Sequence, residues 1–309
     1  SEATGDAVRR VCETVLRRIL DGEVGREDVE DAKLAACREH DAPKVPKNAD
    51  ILDVAPDEHR EELERVLRRK PVRTASGVTP VAIMTSPRGC PHGKCLYCPG
   101  GPDSEFSSAQ SYTGEEPAAA RGEQNDYDPY GQVTLRLNQL REIGHPVDKV
   151  ELILMGGTMT ARSADYQEWF VRRALEALND FDPEADPAPS ETESFAPEDA
   201  EFRYLEDVKA ENEHGSVRNV ATTFETKPDW CGPPQVDRML RLGGTKVEVG
   251  VQTTHEEVNR AMHRGHGTAE SVAANRRLRD AGFKVGFHMM PGQPGMTREM
   301  AVEDFRRLF

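Results

Sequence analysis

Apolar residues recur every three or four positions in the first quarter of the chain, as one face of an α-helix requires. The first such face carries Val8, Val11, Val15 and Ile19. Two further amphipathic stretches span residues 26–40 and 56–70, and the proline-containing stretch 42–47 between them has the composition of a linker. We therefore predict a small helical N-terminal domain over residues 1–75.

After residue 78 the pattern changes to short apolar strands that alternate with amphipathic helices. The predicted strands are 81–84, 149–155, 219–223, 246–251 and 284–288. The predicted helices are 130–143, 164–179, 234–242, 269–281 and a last one that runs to the end of the chain. Repeated strand–helix units indicate parallel strands covered by helices. The predicted fold class is α/β, a partial (β/α) barrel over residues 76–309, incomplete at its C-terminal end.

Residues 180–215 interrupt this alternation. They are acidic and rich in proline and serine. Such a composition buries too little apolar surface to offset the loss of chain entropy on folding. We predict a flexible surface insertion at this place.

Composition limits the class of protein. The chain has 309 residues and is 37% hydrophobic, which still allows a substantial core at this length. No apolar run is long enough for a membrane span and no signal peptide opens the chain, so a cytoplasmic protein without a membrane partner is expected. A net charge of −15 argues, taken over the whole chain, against binding to nucleic acid.

One basic run is a local exception to this charge. Its members are Arg65, Arg68, Arg69, Lys70 and Arg73. Such clusters neutralise RNA phosphates. The competing interpretation is a solvated helix face, because Glu61, Glu62 and Glu64 are interleaved with them. The residues taken alone favour the solvated face.

Three cysteines in a loop after the first predicted strand carry the clearest chemical signal. Cys90, Cys95 and Cys98 have the spacing Cys-x4-Cys-x2-Cys. Thiolates this close can converge on zinc, copper(I) or an iron–sulfur cluster. A structural zinc site takes four protein ligands, whereas a four-iron cluster held by three cysteines keeps one iron open.

Two alternatives to a cluster remain at this point. His92 makes a Cys3His zinc site conceivable, although its place between two of the cysteines is poor for completing a tetrahedron. The cysteines can also be ordinary buried thiols. The glycines and prolines on both sides argue against that, since they mark an exposed loop.

Other unusual residues follow the ends of later predicted strands. They are Gly156, Gly157, Thr158, Glu225, Gln252 and the segment 290–292. The carboxyl ends of parallel barrel strands meet at one end of the barrel, where active sites of such folds lie. The sequence thus predicts one site supplied by consecutive strands. Taken singly, the glycine pair also fits a simple turn, and Glu225 a solvated carboxylate.

The cysteine loop resembles the Cys-x3-Cys-x2-Cys signature of the radical S-adenosylmethionine (SAM) enzymes, with one more residue in the first gap. The longer gap is similar to that of the Elongator catalytic-subunit family, whose members carboxymethylate the wobble uridine of tRNA. Further stretches resemble that family in the same order, among them 73–77, 98–103, 110–114, 127–130, 154–158, 225–229, 264–266 and 288–291. Together they cover the chain from about residue 65 to its end.

This resemblance implies a radical SAM barrel and a set of ligands. Cys90, Cys95 and Cys98 would hold three irons of a 4Fe–4S cluster, and SAM would chelate the fourth. The implied SAM-binding residues are Gly156, Gly157, Thr158, Glu225 and Gln252. Lys149 would contact acetyl-CoA, the co-substrate, although a solvated lysine at a strand start is the simpler interpretation of that residue alone.

The resemblance also implies an activity. A radical formed from SAM would remove hydrogen from the methyl group of acetyl-CoA, and the carbon radical would add to C5 of the wobble uridine. Hydrolysis of the thioester would leave a carboxymethyl group. The region 1–75 with its basic run would bind tRNA, and a homodimer or accessory subunits are compatible with this scheme.

The chain departs from the family pattern in two ways. It ends before the acetyltransferase-like domain that normally follows, and Lys227 replaces the arginine of the family's Glu-Thr-Arg-Pro-Asp motif. The alternatives are a radical SAM enzyme with another substrate, such as a methylthiotransferase or a porphyrin-pathway oxidase, or a zinc-stabilised RNA-binding module without catalysis.

Overall fold

The computed structural model describes residues 2–68, 71–183, 185, 192–196 and 205–309. The chain forms two compact units. The first is Ser1–Thr79 with Leu137–Val147, and the second is Pro80–Arg136 with Asp148–Phe309.

The first unit is helical, as the spacing of apolar residues predicts. Its helices are α1 (Glu2–Leu20), α2 (Val29–Glu39), α3 (Asn48–Asp53) and α4 (Arg60–Leu67). Their apolar faces meet in one core whose most buried members include Val11, Val15, Ile51 and Leu63. The helix α3 lies outside the predicted elements. Lys33 fixes the chain just before it by donating to the Pro46 carbonyl at 3.1 Å and to Asn48 Oδ1 at 2.8 Å.

The second unit is built on a sheet whose strands follow chain order. Within the described residues the strands are β1 (Thr79–Met84), β2 (Lys149–Met155), β3 (Arg218–Thr226), β4 (Lys246–Gln252) and β5 (Lys284–Met289). The pairs β2–β3, β3–β4 and β4–β5 are parallel. The predicted fold class is therefore confirmed.

Helices follow the strands of this sheet. Those of the described chain are α5 (Pro117–Gln124), α6 (Pro129–Glu142), α7 (Ala164–Asp180), α8 (Leu205–Asn212), α9 (Pro233–Arg241), α10 (Glu256–Ala261), α11 (Thr268–Asp280) and α12 (Arg298–Arg307). The helices α5, α8 and α10 lie outside the predicted elements, since each has only six to eight residues. None of the helices in the described ranges is both long and apolar enough to cross a bilayer.

Alternation along the strands separates a buried face from a polar one. In β2 the side chains of Val150, Leu152 and Leu154 are fully buried, and the residues between them are only half-buried. Successive strand residues point to opposite faces, so the half-buried set forms a second face. On β3 and β4 that face carries Glu225 and Glu248, which are register partners. This face, with the loops at the carboxyl ends of the strands, positions the candidate site.

The predicted flexible insertion over 180–215 is wrong for its last part. Leu205 and Val208, three residues apart, are buried in α8, and the Asn212 amide donates to Asn179 Oδ1 at 2.7 Å. Phe195 lies with its ring centroid 5.3 Å from that of Tyr166. A few apolar side chains therefore order parts of an acidic segment. Residues 184, 186–191 and 197–204 of this insertion lie outside the described residues.

Candidate active site

A cavity lies at the carboxyl ends of the strands in the second unit. The structure brings the predicted site residues Cys90, Cys95, Cys98, Gly157, Thr158, Glu225 and Gln252 into its wall. Because parallel strands end at the same edge of a sheet, residues far apart in the chain meet there. The lining also includes residues to which the sequence assigned no role, among them Gln110, Ser111, Tyr112, Lys227, Glu248, Arg264 and His288.

The cysteine loop is held by two tight turns and by a second loop. Within it, the Gly93 N–H donates to the Cys90 carbonyl and the Cys98 N–H to the Cys95 carbonyl, both at 3.0 Å. Gln110 Oε1 accepts from the Cys90 N–H at 2.9 Å. The Ser111 N–H donates to Cys98 Sγ at 3.1 Å. All six cysteines of the chain are free thiols, so these three are available as ligands.

Positive charge and an imidazole surround Cys95. Arg264 Nη1 donates to Cys95 Sγ at 3.5 Å, and its Nη2 donates to the Gly250 carbonyl at 2.6 Å. Lys227 Nζ donates to the Arg264 carbonyl at 2.8 Å. Arg264 therefore places positive charge beside this sulfur, where it can balance the charge of a metal-bound thiolate.

The imidazole of His92 lies beside the cysteine loop, with its Nε2 3.2 Å from Cys95 Sγ. Burial, together with the charges of Lys227 and Arg264, lowers the pKa of His92 to about 4. The imidazole is therefore neutral near pH 7. It can serve as a hydrogen-bonding neighbour of the sulfur or as a ligand.

The two glycines after β2 are needed for different reasons. Gly157 has φ +79°, and a Cβ there would lie 3.8 Å from Cys90 Sγ and fill space beside the cysteine loop. Gly156 has φ +123°, and a Cβ there would lie 2.1 Å from Thr85 Oγ1. Gly156 thus allows close packing against the end of β1, whereas Gly157 keeps the cavity open. Thr158 Oγ1 lies 3.5 Å from Cys90 Sγ.

Gln252 combines an unusual backbone with an unused acceptor. Its φ of +68° lies in the left-handed region at the end of β4, where the register with β5 is irregular. Its Oε1 is buried and has no hydrogen-bond partner among the described residues. Such strain and such unpaired acceptors occur preferentially at functional sites. Gln252 is therefore suited to accept a hydrogen bond from a bound ligand.

Polar side chains on the half-buried face of the sheet form a second group in the cavity. Tyr112 donates its hydroxyl to Glu225 Oε2 at 2.9 Å, and His288 Nε2 lies 2.7 Å from Glu248 Oε2. Lys246 donates to the other oxygen of Glu248. Burial raises the pKa of Glu225, while the bonds from His288 and Lys246 lower that of Glu248 to about 2.

The sequence does contain a signal for this polar group. Lys246 and Glu248 are charged residues at alternate positions of a strand that otherwise consists of Val, Gly and the terminal Gln252. A period of two places both on one face. His288 occupies the matching face of β5.

Lys149 is not brought to the cavity. It begins β2, whose carboxyl end at Met155 leads into the site, so the two ends are about 20 Å apart at the rise of a strand. Its ammonium donates to Asp148 Oδ2 at 2.8 Å.

The predicted RNA-binding residues belong to the first unit where the structure describes them. Arg65 pairs with Glu61, and Arg68 donates from Nε to the Gly144 carbonyl at 2.7 Å. Arg73 is exposed. Arg69 and Lys70 lie outside the described residues.

Comparisons with known proteins match both units. The family model for the ELP3 N-terminal domain matches residues 8–75, and the Radical SAM superfamily model matches residues 84–308. The chain is 44% identical over 265 residues to a tRNA uridine(34) acetyltransferase of Methanocaldococcus infernus, covering 85% of this chain and 46% of that protein. It is 41% identical over 311 residues to the protein of the same name from Methanocaldococcus jannaschii, with 98% and 54% covered.

Two further matches extend this result. Elongator complex protein 3 of Saccharomyces cerevisiae is 39% identical over 271 residues, which cover 85% of this chain and 45% of that protein. The solved structure of the archaeal Methanocaldococcus infernus Elp3 with an N-terminal deletion (1–46) superposes with a TM-score of 0.56 at 35% identity, covering 75% of this chain and 42% of that one. The chain spans about half the length of the curated relatives it matches.

Proposed function

The chain belongs to the Radical SAM superfamily, and from that premise we propose that it provides the radical-forming part of an enzyme that modifies the wobble uridine of tRNA. The observation that supports this most strongly is the site itself. Three free thiols lie at the carboxyl ends of parallel strands, together with Gly157 and the unpaired Oε1 of Gln252. The homologues named tRNA uridine(34) acetyltransferase favour uridine over the substrates of other radical SAM enzymes.

The cysteine loop fits a 4Fe–4S cluster. Cys90, Cys95 and Cys98 would hold it, and the N–H of Ser111 with the guanidinium of Arg264 would stabilise the sulfur charges. When bound, the cluster and SAM supply one-electron chemistry. The neighbourhood of His92 also suits a zinc site, but the superfamily to which the chain belongs favours the cluster.

The residues around the loop would bind and orient SAM. The missing side chain of Gly157 admits a ligand next to Cys90, and the Thr158 hydroxyl lies at the same place. Gln252 offers its buried Oε1 to an amine or hydroxyl, and Glu225 offers a carboxylate oriented by Tyr112. In this proposal Gly156 shapes the turn and does not touch the ligand.

The remaining roles extend to the whole enzyme. We propose acetyl-CoA as the co-substrate because of the name that the archaeal relatives carry. Lys149 would then act at the amino end of β2, away from the cysteines. The proposal places the enzyme in the cytoplasm and assigns tRNA binding to Arg65, Arg68, Arg69, Lys70 and Arg73. A homodimer or accessory subunits stay predictions.

The proposal is tested by cofactor cleavage that depends on tRNA. The anaerobically reconstituted, dithionite-reduced chain is incubated with SAM, and 5′-deoxyadenosine is measured with tRNA, with tRNA carrying cytidine at position 34, and without RNA. We expect the uridine tRNA to stimulate formation several-fold. A rate that no tRNA changes would contradict the proposed substrate, and one bound zinc without iron would contradict the proposed chemistry.

A further inference from the structure

The cavity wall opposite the cysteine loop holds a pair of side chains that the proposed function leaves unused. Glu248 of β4 and His288 of β5 lie 2.7 Å apart, Oε2 to Nε2, on the half-buried face of the sheet. Gly286 is the register partner of Glu248 on β5, and a Cβ there would lie 3.4 Å from Glu248 Cγ. The same Cβ would lie 3.8 Å from Glu248 Oε1 and from Lys246 Cε, so the glycine leaves room for Lys246 to reach that oxygen.

The pair is fixed in one arrangement by its neighbours. Lys246 donates to the other oxygen of Glu248. Tyr112 donates its hydroxyl to Glu225, the adjacent carboxylate on β3. Glu248 is only 22% exposed, while 45% of the His288 side chain faces open space. Held on both sides, Glu248 cannot turn away from the cavity without losing two charged partners.

The pair offers one acceptor beside one donor. An ionised carboxylate accepts about four hydrogen bonds, so Glu248 retains capacity after those from Lys246 and His288. The hydrogen bond to Glu248, assisted by the charges of Glu225 and Glu248, raises the pKa of His288, which favours the imidazolium. With Nε2 bonded to Glu248, the Nδ1–H of that imidazolium is left to donate to a ligand.

This pattern is complementary to one edge of uracil. The imide of uracil presents its N3–H donor between two carbonyl acceptors, while cytosine presents an acceptor at N3 and an amine at C4. Proteins read single-stranded RNA bases by hydrogen bonds to such edges. A site built for one pattern rejects the other because its polar groups would be left unpaired.

We propose that Glu248 and His288 bind the imide edge of the target uridine, Glu248 accepting from N3–H and His288 donating to a ring carbonyl. Lys246 is a positioning residue that holds Glu248. This inference rests on the proposed function, since it takes the uridine substrate from there, and it adds the residues that select the base. Bound in this way, the base lies in the same cavity as the three cysteines.

A divalent cation is the main competing occupant. The nearest ligand atoms of Glu225, Glu248 and His288 lie within 4.8 Å of one another, as in a metal site. However, the ammonium of Lys246 already bonds to Glu248, and its charge opposes that of a metal ion. The donor–acceptor pattern of a neutral base therefore suits Glu248 and His288 better than a metal ion does.

The test compares two RNAs that differ only at this edge. Anticodon stem-loop RNA with uridine or 3-methyluridine at position 34 is bound to the reconstituted chain with SAM, and affinity is measured by fluorescence anisotropy. Methylation of N3 removes the donor. We expect wild type to prefer uridine about tenfold, in line with the discrimination of a good two-point base contact.

Glu248→Ala should lose this preference by weakening uridine binding alone, because only uridine offers N3–H. His288→Asn should weaken binding of both RNAs, because the ring carbonyls are present in each. Glu151→Ala is the matched control, because Glu151 lies on the same sheet face but accepts from Thr223 Oγ1 at 2.7 Å and not from this group. It should keep the preference. A single cooperative thermal transition, even at a lowered melting temperature, would show that the variants fold.

Three outcomes would overturn the inference. Equal affinity of wild type for both RNAs is the first, and a Glu248→Ala variant that keeps the uridine preference is the second. The third is a wild-type chain that binds one divalent ion, with loss of that ion in Glu248→Ala. If tRNA still stimulates formation of 5′-deoxyadenosine in these cases, the proposed function stands and only the base-reading role fails.

Discussion

Arg264 and Cys95 are joined by a hydrogen bond from Nη1 to Sγ at 3.5 Å, although 169 residues separate them in the chain. The same guanidinium bonds to the carbonyl of Gly250 near the end of β4. Arg264 therefore ties the metal-binding loop to the sheet and places a fixed positive charge at one thiol.

Arg264→Gln should make a bound cluster harder to reduce. Loss of the positive charge and of a charge-assisted hydrogen bond destabilises the reduced state, on the order of 60 mV, or about 1.4 kcal/mol for one electron. Redox potentiometry followed by EPR measures this. Arg260→Gln, an exposed arginine in α10, is the control and should leave the potential unchanged. An unshifted potential in Arg264→Gln would show that the Arg264 charge does not stabilise the reduced cluster.

The two glycines after β2 should respond differently to alanine. Gly156→Ala should lower the free energy of unfolding by about 1–3 kcal/mol, because its Cβ would overlap Thr85. Gly157→Ala should reduce SAM affinity, since its Cβ would occupy the space beside Cys90. Urea unfolding and SAM titration measure the two effects.

Gly282→Ala is the control for backbone strain in both variants, because it has φ +91° and open space around the Cβ position. It should cost about 1–2 kcal/mol of stability and leave SAM binding intact. A Gly157→Ala protein with unchanged SAM affinity would contradict the proposed cofactor site.

The Glu248–His288 pair should stabilise the fold most between about pH 4.5 and 6.5. The pKa of Glu248 is lowered from 4.5 to about 2, so its contribution is complete above 4.5 and is lost as pH falls toward 2. The pKa of His288 is raised above 6.5, so its contribution is complete below 6.5 and is lost as pH rises through the higher folded value.

Urea unfolding of wild type and His288→Gln across pH measures this contribution. The difference in unfolding free energy should be largest near pH 5.5 and should shrink at pH 8.5. In a Glu248→Gln background the same substitution should give a nearly constant difference. A difference that grows with pH would show that the imidazole is not held protonated by Glu248.

The basic run should contribute to tRNA binding through Arg73, which is exposed and, unlike the exposed Arg65, is not paired with Glu61. Arg73→Glu should weaken binding of tRNA of any sequence and reduce the slope of affinity against salt by about one phosphate contact. Arg68→Glu should instead lower stability, because its guanidinium bonds to the Gly144 carbonyl. Filter binding over a salt series measures the first effect. Arg306→Glu in α12 is the control. Equal salt dependence of tRNA affinity in the two variants would show that Arg73 does not contact tRNA.

The sheet could be predicted because its strands are short apolar runs with a period of two, as in β2. The short helices α3 and α10 could not, since six residues carry too little periodicity and tertiary contacts such as that of Lys33 decide their place. Local composition also failed for α8, where two buried side chains outweigh acidic surroundings.

In the site, too, residues close in sequence could be predicted to act together, whereas contacts between distant residues could not. The cysteines are visible because three ligands share one loop. The bond from Arg264 to Cys95 is invisible in the sequence, because only the sheet brings residues so distant together. The pairing of Glu248 with His288 lies between these cases, since strand alternation gives the face but not the partner.

We expect the three-cysteine loop to hold a 4Fe–4S cluster with one iron open to SAM. Low-temperature EPR of the anaerobically reconstituted, reduced chain, with and without SAM, tests it most directly. We predict a reduced 4Fe–4S signal that SAM changes, its loss in Cys95→Ala, and its retention in Cys37→Ala, a buried cysteine of the first unit. An iron-free protein with one zinc, or a cluster signal that survives in Cys95→Ala, would contradict the claim.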